Sequence, residues 1–133
     1  MKKILLIIII GCGFIACKKG GTVPSINITG KWELHKTYGG FIQPPDSIYQ
    51  AGNGNILLFN NDGTYKRYAN GAVTLQGTYR VVHNGYKSGS NVYDELVFDN
   101  DSSGSIASIN GSILTISSLI PDVGSSDYEK IAN

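Results

Sequence analysis

Tight two-residue turn signals recur from residue 55 onward, and they constrain the fold of this chain more than any other feature. Asn61-Asp62-Gly63, Asn70-Gly71 and Asn110-Gly111 each separate two runs of strand-forming residues. Asn-Gly and Asp-Gly favour the turns that join antiparallel neighbours, because these residue types tolerate positive φ. A chain divided in this way is expected to fold as a meander of antiparallel strands.

The runs between the turns predict about eight strands and no helix of any length. In the first strand, alternation predicts that Trp32, Leu34 and Lys36 share one face. Closure would hide the edges of such a meander, so the predicted fold class is an all-β antiparallel barrel of about eight strands. The predicted strands are residues 29–38, 55–60, 64–69, 72–82, 92–99, 105–109, 112–118 and 126–132, with a polar loop at 84–91 and a bend or bulge at Gly77.

Residues 1–16 indicate a cleaved signal peptide. Two lysines precede an apolar run from Ile4 to Ile10, which is shorter than the roughly 20 residues that span a bilayer. Small residues then lead to Ala16-Cys17, so Cys17 is the predicted site of lipid attachment and the first mature residue. Two alternatives stay open: Cys12 fits a similar signal, and the segment also fits an ordinary or uncleaved leader.

Cleavage before Cys17 leaves about 117 residues, which is the length of a single domain. Residues 17–25 would form a lipidated tether, and residues 26–133 would form the barrel. Acyl chains such as palmitate on Cys17 make membrane lipid the predicted partner, since two chains hold a protein far more firmly than one.

Charge and cysteine content exclude several classes of function. The signal holds two of the 11 basic residues, which leaves 9 basic against 10 acidic residues. A nearly neutral chain without a basic cluster is not expected to bind nucleic acid. With Cys12 removed and Cys17 acylated, no thiol remains for a disulfide or for catalysis. We predict a monomer without cofactors.

Several short motifs, taken in order, resemble those of small lipocalin-like lipoproteins of the Bacteroidetes. Gly30-Lys31-Trp32 is similar to the G-x-W signature of lipocalins. The segments 58–65 (LFNNDGTY), 77–79 (GTY) and 128–131 (YEKI) also resemble this family, as does Cys17-Lys18-Lys19. The likeness covers nearly the whole mature chain.

This resemblance implies a cup-shaped barrel in which Trp32 plugs the closed end and a late basic residue, Lys130, packs over its indole. It also implies an address in the bacterial cell envelope. Surface-exported lipoproteins of this type usually carry acidic residues after the cysteine, and Lys18-Lys19-Gly20-Gly21 has none. We therefore expect an outer-membrane protein that faces the periplasm.

The inner face of the barrel supplies the candidate ligand site. An apolar cup with one charge suits a small hydrophobic molecule, and Arg67 can pair with an acidic group on it. The alternative is a solid core with Arg67 at the rim or outside. The residues that alternation places on this face are Leu57, Phe59, Tyr65, Arg67, Leu75, Tyr79, Leu96 and Phe98.

No catalytic constellation is recognisable. His35 and His83 are predicted to be solvated, and neither has the spacing of a metal site or a triad. The segment Asp99 to Gly104 is similar to the start of a calcium loop, but a plain turn explains its composition equally well. We predict a non-enzymatic, lipid-anchored binding protein. The alternative is a filled barrel that binds another protein through residues 38–49.

Overall fold

The computed structural model describes residues 25–39, 45–120 and 122–132, and these form an all-β fold as predicted. The signal peptide, Cys12, Cys17 and the tether up to residue 24 lie outside the described residues. The described part of the chain contains no helix that could span a lipid bilayer. Its strands are β1 (Gly30–Tyr38), β2 (Ser47–Ile48), β3 (Ile56–Phe59), β4 (Thr64–Ala69), β5 (Ala72–Ser88), β6 (Asn91–Phe98), β7 (Ser105–Asn110), β8 (Ile113–Ser118) and β9 (Ser125–Ile131).

The strands form a closed antiparallel barrel, which confirms the predicted fold class. Their order around the ring is β1-β3-β4-β5-β6-β7-β8-β9, and pairing of β1 with β9 closes it. The short β2 is an addition to this ring of eight, because it pairs only with the end of β1. Almost every connection is a turn between sequence neighbours, as expected of a meander.

The Asn-Gly signals form turns where the sequence predicts them. Asn70 and Gly71 have φ values of 50° and 79°, and the flanking Ala69 and Ala72 pair directly. Two successive positive φ values fit the tight turn whose twist matches that of the flanking strands. Gly111, at φ 61°, lies in the equivalent turn between β7 and β8.

The prediction of a polar loop at residues 84–91 was wrong, because β5 continues to Ser88 and turns into β6 at Gly89. The Asn84-Gly85 signal produces a register shift between Val82 and Tyr86, not a chain reversal. Asn84 adopts φ 54° within the strand. A residue with positive φ inside a strand forms a bulge when the strand continues to pair with its partner beyond that residue.

A second bulge changes the inner face of β1. The pairing of β1 with β9 skips His35 between Leu34 and Lys36. One extra residue reverses the alternation of side chains beyond it. Lys36 therefore lies on the outer surface, where its Nζ is 4.1 Å from the centroid of the Tyr38 ring. The prediction that Lys36 shares a face with Trp32 was wrong.

Gly77 has a different role from the predicted bend. The register shift between β4 and β5 lies nearer the start of β5, between Arg67 and Tyr68 on the β4 side. A Cβ at Gly77 would collide with the carboxylate of Asp99. The absence of a side chain at Gly77 therefore lets the turn after β6 pack directly against β5.

Candidate functional site

Residues 25–29 cross one end of the barrel, which we call the closed end. The N–H of Ile26 donates to Asp94 Oδ2 of β6 at 2.9 Å, and the chain then enters β1, which lies across the ring from β6. Ile28 is buried in the core, and its carbonyl accepts a 2.6 Å hydrogen bond from Trp32 Nε1. This segment therefore plugs the barrel from below.

Asp94 holds the plug in place. Its Oδ1 lies 2.8 Å from His83 Nδ1 and accepts the N–H of Asn84 at 3.0 Å, while Oδ2 accepts from Ile26. Burial opposes ionisation, but these donors together lower the pKa of Asp94 below its ordinary value. His83 is exposed, as predicted, and its ring nitrogen also pairs with Asp94. Alternation with the inward-facing Leu96 was the signal that could have identified Asp94 as an interior group.

The Lys130 ammonium group lies over the indole of Trp32 at the closed end. The two residues pair directly across β1 and β9, and Lys130 Nζ is 5.1 Å from the centroid of the Trp32 ring. This distance is within the range of a cation–π interaction. Trp32 is 1% exposed, so its ring is fully packed inside the barrel.

A packed layer fills the middle of the barrel. Phe59 contacts Tyr79 edge-on with ring centroids 4.7 Å apart, and Tyr65 contacts Phe98 in the same geometry at 4.7 Å. Such edge-to-face pairs are favoured over direct stacking of the rings. This layer includes Leu57, Phe59, Tyr65, Leu96, Tyr79 and Phe98 of the predicted inner face, and the first four are at most 3% exposed.

The opposite end, which we call the open end, contains a cavity of about 410 Å³ above this layer. The turn after β6 and the loop after β8 form its rim. Phe98, Ile116 and Tyr128 supply apolar surface, and Arg67 and Asp101 supply the charged groups. The volume falls within the usual range of small-molecule sites. Its hydroxyl-bearing wall consists of Ser103, Ser105, Ser118, Ser125 and Ser126.

Arg67 and Tyr128 both belong to the lining of this cavity. A smaller cavity of about 200 Å³ shares both residues and is lined by apolar side chains, including Leu34 and Leu57. Burial raises the pKa of Tyr128, although the charge of Arg67 opposes this shift, so the phenol stays neutral and able to donate. In the described residues, the Arg67 guanidinium makes no ion pair.

The predicted inner-face residues are therefore divided between the two cavities, the exposed part of β5 and the packed layer. Arg67 and Phe98 line the large cavity, and Leu57 contacts the smaller one. Leu75 pairs with Arg67 across β4 and β5 but is 47% exposed, because it lies where β5 extends past the ring. The remaining members lie in the packed layer. Sequence reasoning did not identify Tyr128 or the serines, although alternate residues on β8 and β9 indicate an inward face there.

The turn after β6 supports the rim through two of its carboxylates. Asp99 accepts the N–H of Thr78 at 2.7 Å and the hydroxyl of Tyr65 at 3.0 Å. Asp101 accepts the N–H of Ser103 at 3.0 Å. Asp99 thus connects the turn to β4 and β5, and Asp101 stabilises the turn itself. Among the described residues, no three His, Cys, Asp or Glu side chains converge as metal ligands would.

The segment predicted for protein binding is described only in part, as residues 38–39 and 45–49. Within it, Ile48 on β2 is 70% exposed. Tyr38 lies on the outer face, and its hydroxyl donates to Asp127 at 2.7 Å. Comparison with protein-family models, curated proteins and solved structures finds no match for this chain.

Proposed function

We propose that this protein is a non-enzymatic, lipocalin-like lipoprotein that holds a small amphipathic acid at the open end of its barrel. The observation that carries the proposal is the cavity of about 410 Å³ whose lining includes Arg67 and Tyr128. The packed aromatic layer beneath it limits the ligand to the upper part of the barrel. The ligand is therefore small, and does not run through the barrel's length.

The polar groups of the cavity favour an acidic headgroup. A guanidinium presents paired N–H donors that match a carboxylate, and Arg67 has no ionic partner among the described residues. Tyr128 and the serine wall add neutral donors. The smaller cavity beside Arg67 offers apolar walls for the rest of the molecule. An acid with a short alkyl or aromatic body fits this site, with its acidic group in the larger cavity and its apolar body in the smaller one.

The chemistry of the cavity also supports a binding role over catalysis. Its described lining includes serine hydroxyls but no histidine to act as their base. His83 is engaged with Asp94 at the closed end, and His35 lies on the outer surface of β1. We therefore assign the open-end cavity to ligand binding alone.

Acid recognition is tested with decanoate and its neutral counterpart decanol, titrated by calorimetry. Arg67→Gln removes a charge-assisted contact of about 1.5–3 kcal/mol, so decanoate should bind roughly tenfold to a hundredfold more weakly. Decanol binding should stay nearly unchanged. Arg80→Gln is the matched control, because Arg80 is the other arginine and lies on the outer face of β5. Equal weakening of both probes, or no binding of decanoate, would contradict the proposal.

The proposed membrane anchor is tested separately by fractionating cells that express the full chain. Cys17→Ser should move the protein from the membrane fraction to the soluble fraction, because the acylated residue is lost. Cys12→Ser should leave it on the membrane, since residue 12 belongs to the cleaved signal. The reverse result would assign the anchor to Cys12, and retention of both variants would indicate an uncleaved leader. Separation of inner and outer membranes tests the proposed outer-membrane address.

A further inference from the structure

The end of the β5–β6 hairpin extends past the closed end as a two-stranded ribbon, which we define as residues 83–93. Within it Tyr86 pairs with Tyr93, and Lys87 pairs with Val92. β6 begins its pairing with β7 only at Asp94, so the ribbon has no partner strand on that side. Six residues beyond Val82 correspond to a reach of about 20 Å. The ribbon therefore stands clear of the packed core.

The composition of the ribbon differs from that of an ordinary solvated hairpin. The rings of Tyr86 and Tyr93 lie 6.4 Å apart, and Val92 is 45% exposed. Lys87 is its one permanent charge, and no carboxylate occurs between residues 83 and 93. Tyrosine favours the headgroup region of a bilayer, where its ring is apolar and its hydroxyl stays hydrated. Lysine adds attraction to anionic lipid.

An apolar groove continues from the ribbon onto the body of the closed end. Its volume is about 370 Å³, and its apolar lining comes from Ile26, Val92, Tyr93 and Ile109. The ring of His83 lies beside it. Ile26 belongs to the plug, so the first described residues of the chain lie at this same groove.

The position of the plug indicates that the ribbon and the groove face a lipid bilayer. Residues 17–25 make a tether of nine residues up to Ile26, which allows roughly 30 Å at full extension. That reach is comparable to the ribbon's own projection of about 20 Å. A tether fixed to lipid at one end and to the closed end at the other keeps the ribbon next to the bilayer.

We propose that the ribbon and the adjoining groove form a membrane-docking face that rests on the headgroups of the bilayer. This inference rests on the proposed lipid anchor at Cys17. Tyr86 and Tyr93 lie at headgroup level, with Lys87 against anionic phosphates, and the polar tip at residues 88–91 stays hydrated. The open end with Arg67 then faces away from the membrane, so the ligand enters from the aqueous side.

Energy transfer to the membrane surface tests the docking. The acylated protein is placed in vesicles of phosphatidylethanolamine and phosphatidylglycerol that contain an acceptor dye on their headgroups. A donor dye is attached at Ser90→Cys in the ribbon or at Ser102→Cys in the open-end rim. Acylation blocks Cys17, so each protein carries a single reactive thiol. Transfer should be much stronger from position 90 than from position 102.

The tyrosines are tested by combining Tyr86→Ser and Tyr93→Ser. The loss of docking lets the barrel move freely on its tether, so the difference between positions 90 and 102 should largely disappear. Tyr68→Ser, on β4 and outside the ribbon, is the matched control and should preserve the difference. Thermal unfolding of each variant verifies that the barrel remains folded.

The outcomes separate this inference from the proposed function. If the wild-type protein does not associate with vesicles, the proposed anchor fails and the docking face fails with it. If the protein associates but positions 90 and 102 show equal transfer, the anchor stands and the docking face is refuted. Equal transfer together with a concentration-dependent increase in mass would assign the ribbon to contact between two copies of the chain.

Discussion

The two ends of the barrel are built in opposite ways. At the closed end, Ile28 and Trp32 fill the interior, and Asp94 binds the crossing segment through Ile26. At the open end, serine hydroxyls, apolar side chains and Arg67 line a cavity of about 410 Å³. The closed end is expected to provide most of the stability, since buried apolar area is the dominant favourable term in folding. The open end can bind a ligand because its side chains contribute little buried apolar area to folding.

β5 connects the two ends by changing partners along its length. Its first part pairs with β4 as far as Thr78, and from Tyr79 onward it pairs with β6. Each part therefore projects beyond the ring at one end, with Leu75 exposed at the open end and the ribbon at the closed end. One long strand thus borders the smaller cavity through Thr74 and supplies part of the proposed membrane contact.

Truncation of Trp32 at the closed end should have the largest effect on the free energy of unfolding. Trp32→Ala removes a fully buried ring and is expected to cost about 3–5 kcal/mol of unfolding free energy. Urea denaturation followed by circular dichroism measures this cost. Ile116→Ala at the open end is the comparison and should cost clearly less, because its neighbours border a cavity. Similar costs at the two ends would overturn the proposed division between them.

The packing of the turn after β6 against β5 should be sensitive to substitution of Gly77. Gly77→Ala places a methyl group against Asp99 and is expected to destabilise the protein by about 1–3 kcal/mol. Asp99→Ala alone should also destabilise it, since Thr78 and Tyr65 lose their acceptor. The double variant should be less destabilised than the sum of the two, because the methyl group then has room. Strict additivity in denaturation would mean that the two residues do not interact.

The plug should give stability a specific dependence on pH. The pKa of Asp94 is lowered by folding, so its ionised form stabilises the protein above the unfolded value of about 3.9. That contribution is lost as the pH falls through the lowered folded-state pKa. Asp94→Asn should therefore cost about 1–3 kcal/mol at neutral pH and progressively less in acid. Asp101→Asn, on the exposed rim, is the control. A pH-independent cost would exclude the charge of Asp94 as its cause.

The smallest effect on stability is expected from the ligand-binding arginine itself. Arg67→Gln should change the unfolding free energy by no more than about 0.5 kcal/mol, since the side chain is exposed and makes no ion pair in the described residues. Denaturation in the absence of any probe measures this. A loss as large as that of Asp94→Asn would show that Arg67 has a structural role at the open end.

The sequence predicted the architecture better than it predicted the site. The turns at Asn70 and Asn110 follow from local chemistry, since Asn and Gly tolerate the positive φ that tight hairpin turns need. Asn84-Gly85 carries the same signal but forms a bulge, because β5 and β6 keep pairing beyond it. The face of Lys36 was wrongly predicted for the same reason, a bulge that local sequence does not determine. The bulge at His35 depends on pairing with the partner strand β9.

The sequence by itself determined the all-β meander, its order and most of its strand boundaries, because turn residues and side-chain alternation act over a few neighbouring positions. The tertiary structure alone decided which inward residues are packed and which line a cavity. Phe59 and Arg67 alternate on neighbouring strands in the same way, yet Phe59 is buried in the aromatic layer and Arg67 is exposed in the cup. That difference depends on where each strand crosses the ring and on the plug formed by residues 25–29. Both are properties of the closed barrel, and no local sequence pattern contains them.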